Sequence, residues 1–215
     1  LPGASVFDPV LCEVAYRWFC PPGGNILDPF AGEATKGLVA HALGYRYTGV
    51  ELRPEQVDAN RVLGAKIGLS PEWIVGDSMK IGEYLSGRMF DMVFTSPPYY
   101  DLEVYSSGVD DGSALPSYSA FMAWYEGIFR QAAAVLRENR FLVVKVGEIR
   151  DKATGEYRGF VPDNIAIFKR LGFAFYNWAI LMTPLTTLPL RTKKQFLAAR
   201  KLGKAHQDVL IFYKG

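Results

Sequence analysis

The chain has 215 residues, 49% hydrophobic and 21% charged, with a formal net charge of +2. This indicates one ordinary globular domain, residues 1–215, large enough to bury roughly 70% of its unfolded surface. No run approaches 18 unbroken apolar residues, which excludes a helical membrane span, and the start at Leu1 reads as a piece of a longer chain, not as a signal peptide.

The charge is unevenly spread. From Pro184 to Gly215, Arg191, Lys193, Lys194, Arg200, Lys201, Lys204 and Lys214 stand against Asp208 alone, giving +6 there and −4 over residues 1–183. A basic tail on a mildly acidic body suggests a localised polyanion contact, or a solvated lysine-rich surface.

In chain order, VLCEVAYRWFC predicts a helix from about Val10 to Phe19, stopped by Pro21-Pro22-Gly23-Gly24. Cys12 and Cys20, the only cysteines, lie about 12 Å apart on such a helix, too far for a disulfide, and read as packing residues of a cytoplasmic protein. With His41 and His206 the only histidines, no metal-ligand cluster is expected. NILD, YRYTGVE, EWIVG and FDMVF read as four strands, separated by helices around KGLVAHALG and from Pro54 to Lys66.

After TSPPYY, residues 101–117 have no period and read as a long loop. Tyr118 to Glu138 predicts a helix, FLVVKVG a strand, residues 151–160 a turn, VPDNIAIFKRLG a helix and FAFYNWAIL a strand. A basic loop, 184–206, then leads to a closing strand, DVLIFY. Alternating strands and helices imply an α/β fold with a seven-stranded, mainly parallel sheet covered on both faces, and ligands beyond the strands' carboxyl ends.

Three strand ends carry a nucleotide-type pattern. DPFAGEATKG, residues 28–37, puts Asp28, Pro29, Phe30, Ala31, Gly32, Glu33 and Thr35 in a tight βα turn where Gly32 lets a ligand approach the backbone. It is neither a Walker loop nor GxGxxG. Glu51, 23 residues after Asp28, suits a ribose diol. Asp77-Ser78 follows the third strand, where a carboxylate or amide can take an adenine amino group. Together they describe an adenosine-containing cofactor without a phosphate cradle.

The fourth strand end is Ser96-Pro97-Pro98-Tyr99. Pro97 and Pro98 fix φ near −65° and donate no backbone hydrogen bond, and Ser96 is driven to an extended conformation. The product is a rigid ledge offering a hydroxyl, free carbonyls and an aromatic face. DPFAG followed by SPPY resembles the amino-methylating DNA methyltransferases, which act on adenine N6 or cytosine N4. The likeness runs from Phe7 through FLVVKVGEIRDKATG to KAHQDVLIFYKG, and LEVYS at 102–106 is similar to compact phage-type methylases.

The resemblance implies S-adenosylmethionine as cofactor and DNA as partner. Ser96 Oγ and the Pro97 carbonyl would accept hydrogen bonds from the target amino group, and Tyr99 would stack on a base taken out of the helix. Cytosine C5 methylation is excluded, because it needs a thiolate that this turn lacks. Phe7 and Asp8 resemble the family's N-terminal cofactor motif, with Asp8 also suited to cap a helix.

Arg191, Lys193, Lys194, Arg200, Lys201, Lys204 and His206 are the expected nucleic-acid contacts. Asp101 and Tyr105 are candidate gates to the pocket, and Asp91 is expected to cap or solvate the start of the fourth strand. Two features depart from the family pattern. Glu33-Ala34-Thr35 stands where a second glycine or a Gly-Ser pair is common, and only loops 101–117 and 184–206 are available for target recognition. A homodimer, or a further domain or subunit, would supply the remainder. An RNA base methyltransferase and a catalytically silent nucleic-acid-binding subunit are the alternatives.

Overall fold

The structure is a computed structural model that describes residues 6–100, 115–182 and 188–215, without the side chains of Leu190 and Arg191. Helix α1 (Pro9–Phe19) starts at Asp8, whose Oδ1 accepts from the N–H groups of Val10 (2.8 Å) and Leu11 (3.2 Å). Asp8 is therefore the helix cap, satisfying N–H groups that the first turn leaves unpaired. The chain continues through β1 (Asn25–Asp28), α2 (Thr35–Ala42), β2 (Arg46–Glu51), α3 (Pro54–Lys66), β3 (Glu72–Val75), a 3₁₀ turn (Ser78–Lys80), α4 (Ile81–Tyr84) and β4 (Phe90–Thr95). After the long segment come α5 (Tyr118–Val135), β5 (Leu136–Val146), α6 (Phe160–Arg170), β6 (Ala174–Met182), α7 (Leu188–Ala199) and β7 (His206–Lys214).

The seven strands form one sheet in the order β3-β2-β1-β4-β5-β7-β6. β1 to β5 are parallel, and β7 runs antiparallel to β5 and β6. Alternate residues of each central strand serve two cores. Leu27, Val93, Leu142 and Val144 pack with Phe121, Phe129 and Phe168 under α4, α5 and α6. Ile26, Met92, Phe94 and Val143 pack with Tyr16, Ala40 and Val57 of α1, α2 and α3. β4 is consequently buried at every position, which is why FDMVF reads as an unbroken apolar run.

Four expectations need correction. α5 stops at Val135, because Leu136 is the first residue of β5, so the helix is shorter than Tyr118–Glu138. The 3₁₀ turn and α4 are too short to leave a period in the sequence. Residues 188–199, expected as loop, form helix α7; Pro189 fits its first turn and TKKQFLAA is a run of tolerated and good helix formers.

Asp91, expected to cap or solvate a strand start, is only 8% exposed within β4. It takes Asn25 N–H at 2.9 Å, Arg137 at 2.9 Å and Arg140 at 3.3 Å. The loop at 101–114, with Asp101, Tyr105 and LEVYS, lies outside the described residues, as do 183–187. No helix among the described residues is long and apolar enough to cross a membrane.

Candidate active site

The carboxyl ends of β3, β2, β1 and β4 are neighbours in the sheet, and the strand order reverses between β1 and β4. A crevice is expected beyond such a reversal. A cleft with about 650 Å³ of empty space, open to solvent, lies there. Its walls are Pro29, Phe30 and Gly32 after β1, Glu51 and Arg53 at β2, Gly76, Asp77 and Ser78 after β3, and Ser96 and Pro98 after β4. The four strand ends singled out in the sequence thus meet in one place.

Gly32 has φ +56°, a conformation glycine adopts at little cost. Both of its backbone polar groups are held. Its N–H donates to Glu51 Oε2 at 2.9 Å, and its carbonyl accepts from Asn60 Nδ2 at 2.8 Å. The connection continues through Gln56 Nε2 to Asn60 Oδ1 (2.9 Å), Arg53 Nη2 to Gln56 Oε1 (3.4 Å) and Arg53 Nε to Glu51 Oε1 (3.2 Å).

A closed ring of hydrogen bonds therefore fixes the turn and the acidic side chain relative to each other. Arg53, Gln56 and Asn60 escaped the sequence reading. Their spacing along the first turns of α3, three and four residues apart, was the available signal. Glu51 accepts from Gly32 N–H, Arg53 N–H and Arg53 Nε, about three of the roughly four acceptor positions of a carboxylate.

Asp28 does not line the cleft. It is fully buried beneath the turn, with Lys36 Nζ at 2.6 Å, Thr95 Oγ1 at 2.6 Å, Tyr47 hydroxyl at 2.8 Å and Phe30 N–H at 3.1 Å. Burial, and next the Asp28 charge, push the Tyr47 phenol well above its ordinary pKa, so it stays a donor. Lys36 also donates to the Phe30 carbonyl at 2.9 Å. Ala31 is buried with the same core.

The Glu33-Ala34-Thr35 departure has a visible use. Glu33 Oε2 accepts from Thr35 N–H (2.9 Å) and Oγ1 (2.7 Å), while Oε1 accepts from Phe7 N–H at 3.0 Å. Glu33 staples the N-terminal segment to the start of α2. Phe7 itself is buried, edge-on to Phe94 at 5.6 Å, with Lys145 Nζ 4.3 Å from its ring centroid.

Ser78 Oγ donates to the Pro29 carbonyl, joining the first and third strand ends. Asp77 Oδ1 accepts from Met79 N–H at 2.9 Å and so caps the 3₁₀ turn. Trp124 of α5 also lines the cleft, 5.8 Å from Phe30 between ring centroids. It was missed because its neighbours Phe121 and Tyr125 make α5 read as core.

In the SPPY turn, Ser96 and Pro98 face the cleft and Pro97 is buried. Tyr99 packs edge-on to Phe160 at 5.8 Å, and its hydroxyl accepts from Gln207 Nε2 at 3.3 Å. Tyr100 packs on Tyr118, with the Arg158 guanidinium 5.0 Å from the Tyr100 ring centroid.

The basic residues divide. Lys193, Lys194 and Arg200 are exposed on α7 and just after it. Lys201 and Lys204 are partly buried in the following loop, and His206 is the first residue of β7, paired with Met182. The side chain of Arg191 is outside the described residues. No group of His, Cys, Asp and Glu suited to a metal occurs among the described residues.

Known proteins are similar to this chain in sequence or in fold. A tRNA (guanine(10)-N2)-dimethyltransferase of Pyrococcus abyssi is 35% identical over 81 residues, 35% of this chain and 23% of that protein. The type II methyltransferase M.Cfr9I of Citrobacter freundii is 47% identical over 45 residues, 20% of this chain and 15% of that protein. The matched part of the chain thus spans less than a quarter of the length of these relatives. TrmN from Thermus thermophilus shares the fold with a TM-score of 0.64 at 17% identity, over 100% of this chain and 50% of that one. The sequence model of the N6_N4_Mtase family, described as DNA methylase, matches residues 10–61 and 90–215, and the chain belongs to that family.

Proposed function

We propose that the protein transfers a methyl group from S-adenosylmethionine to an exocyclic amino nitrogen of a DNA base, adenine N6 or cytosine N4. The observation that carries this reading is the single cleft bounded by Glu51 and Asp77 on one side and by Ser96 and Pro98 on the other. The cleft fits the cofactor in chemistry: a carboxylate with an acceptor position left, a polar end at Asp77 and an aromatic wall of Phe30 and Trp124. When bound, S-adenosylmethionine supplies an electrophilic methyl group on a sulfonium sulfur.

Glu51 would hold the ribose diol, Asp77 the adenine amino group, and Phe30 and Trp124 the flat faces. At the other end, Ser96 Oγ and the Pro97 carbonyl would accept the two hydrogens of the target amine. Held this way, the nitrogen is drawn out of conjugation with its ring and its lone pair becomes more nucleophilic. Tyr99 would lie against the extruded base. Positioning of this kind supplies much of the rate. The remaining site residues, Asp28, Glu33, Thr35 and Phe7, would act by holding the cofactor turn in shape.

RNA is the second reading, favoured by the similarity to a protein named as a tRNA guanine N2 methyltransferase, also an amine modifier. Labelled S-adenosylmethionine offered with duplex DNA or with RNA transcripts decides between them. Label in DNA alone is expected; label in RNA alone overturns the DNA assignment. Stabilisation by the cofactor in a thermal-shift titration is expected too, since a ligand of the native state raises its stability. A flat titration would favour a silent subunit.

A further inference from the structure

We propose that Tyr99, Lys204 and Gln207 form a subsite for the phosphodiester attached to the target nucleotide, with Lys204 carrying the charge. The inference rests on the reading of the SPPY turn as the base clamp and adds a substrate contact to it. Three side chains, Tyr99 from the SPPY turn and Lys204 and Gln207 from around the start of β7, converge over Gly147, just past the end of β5. A Cβ on Gly147 would stand 3.3 Å from the Tyr99 hydroxyl oxygen, 3.9 Å from Lys204 Nζ and 3.9 Å from Gln207 Cγ. The φ of Gly147 is not positive, so what the glycine provides is room beside the Tyr99 hydroxyl, not backbone freedom.

The ammonium group is held in place. Asp208, with a side chain 6% exposed, accepts from Lys204 Nζ at 3.2 Å through one oxygen and from Trp178 Nε1 at 3.1 Å through the other. Lys204 has three donors and Asp208 takes one. Gln207 gives one amide hydrogen to the Tyr99 hydroxyl and has a second.

A base and its phosphate are joined through one sugar. A base lying against Tyr99 therefore carries a phosphodiester to the rim of the same turn, where Lys204 and Gln207 are the donors. The Asp208 carboxylate offsets part of the lysine charge. The subsite thus positions one phosphate, while long-range attraction of a polyanion falls to the exposed lysines of α7.

The test uses an oligonucleotide that the wild type methylates, with a neutral methylphosphonate at the linkage 5′ or 3′ to the methylated base. Neutralising one of these linkages should weaken wild-type binding about tenfold, the scale of a missing hydrogen bond to a charged group. Lys204→Met should lose the same factor on the natural backbone and nothing further on the neutral one, and Lys204→Arg should keep most of the affinity.

Because Lys204→Met strands a buried carboxylate, the pair Lys204→Met with Asp208→Asn is measured beside it and should not recover binding. Penalties that simply multiply, or full recovery in the double variant, would overturn the proposal and leave Lys204 as the counterion of Asp208. A wild type that methylates no oligonucleotide overturns the base-clamp reading itself, and this is seen before any variant is made.

Discussion

Two residues of the SPPY turn and one of the second strand divide the expected labour. Ser96→Ala and Tyr99→Ala should abolish most methyl transfer while leaving cofactor affinity nearly intact, because neither is needed at the ribose end. Turnover measured beside calorimetric affinity checks this, and near-wild-type turnover in both variants would remove SPPY from catalysis. Glu51→Ala should do the reverse. It removes a charge-assisted hydrogen bond to the ribose and frees the Gly32 turn, costing about 1.5–3 kcal/mol, or roughly ten- to a hundredfold in affinity. Unchanged affinity by calorimetry would take Glu51 out of the site. The sequence alone pointed to both groups of residues, since a Pro-Pro ledge and an acid at a strand end are local features. It could not show that Asp28 lies under the turn, saturated by Lys36, Tyr47 and Thr95, because those partners come from α2, β2 and β4.

At the scale of elements, alternation was readable wherever a segment was long. All seven strands, and most helices, announced themselves by apolar runs bounded by proline and glycine. α4 was too short to show a period, and α7 was obscured because its lysines drew attention to charge. Asp91 shows the other limit: an acid in an apolar run reads as a strand start until Arg137 and Arg140 arrive from β5. Burial raises the Asp91 pKa, and the hydrogen bonds from Asn25 N–H, Arg140 and Arg137 together outweigh it, leaving the carboxyl below its usual value. A lowered carboxyl pKa stabilises the fold above the unfolded value, near pH 4, and that contribution is lost as pH falls through the folded value. Asp91→Asn should therefore reduce stability at neutral pH and flatten its fall below about pH 4, as followed by denaturant melts. In α1 and at its C-cap, burial pushes the Cys12 and Cys20 thiols up to about 12. Both should ignore an aromatic disulfide reagent at pH 8 until the protein is unfolded, and rapid labelling of the native state would contradict the packing of α1.

Across the whole molecule, the strand order gathers the proposed cofactor-binding residues on one side of its reversal and the SPPY turn on the other. The exposed lysines of α7 lie between β6 and β7, and the pairing of β7 with β5 brings Gln207, near the start of β7, to Tyr99. Lys193→Ala with Lys194→Ala should flatten the slope of log K against log salt by up to about 2 units on duplex DNA, since each phosphate that a lysine neutralises contributes about 0.9. An unchanged slope would make α7 an ordinary solvated helix. The central claim is that the methyl group lands on an exocyclic amino nitrogen. Its most direct measurement is digestion of DNA to nucleosides after incubation with the protein and isotopically labelled S-adenosylmethionine, followed by mass spectrometry. The expected result is labelled N6-methyldeoxyadenosine or N4-methyldeoxycytidine, strongly reduced with Tyr99→Ala; label on a ring carbon, or no labelled nucleoside at all, would contradict the account.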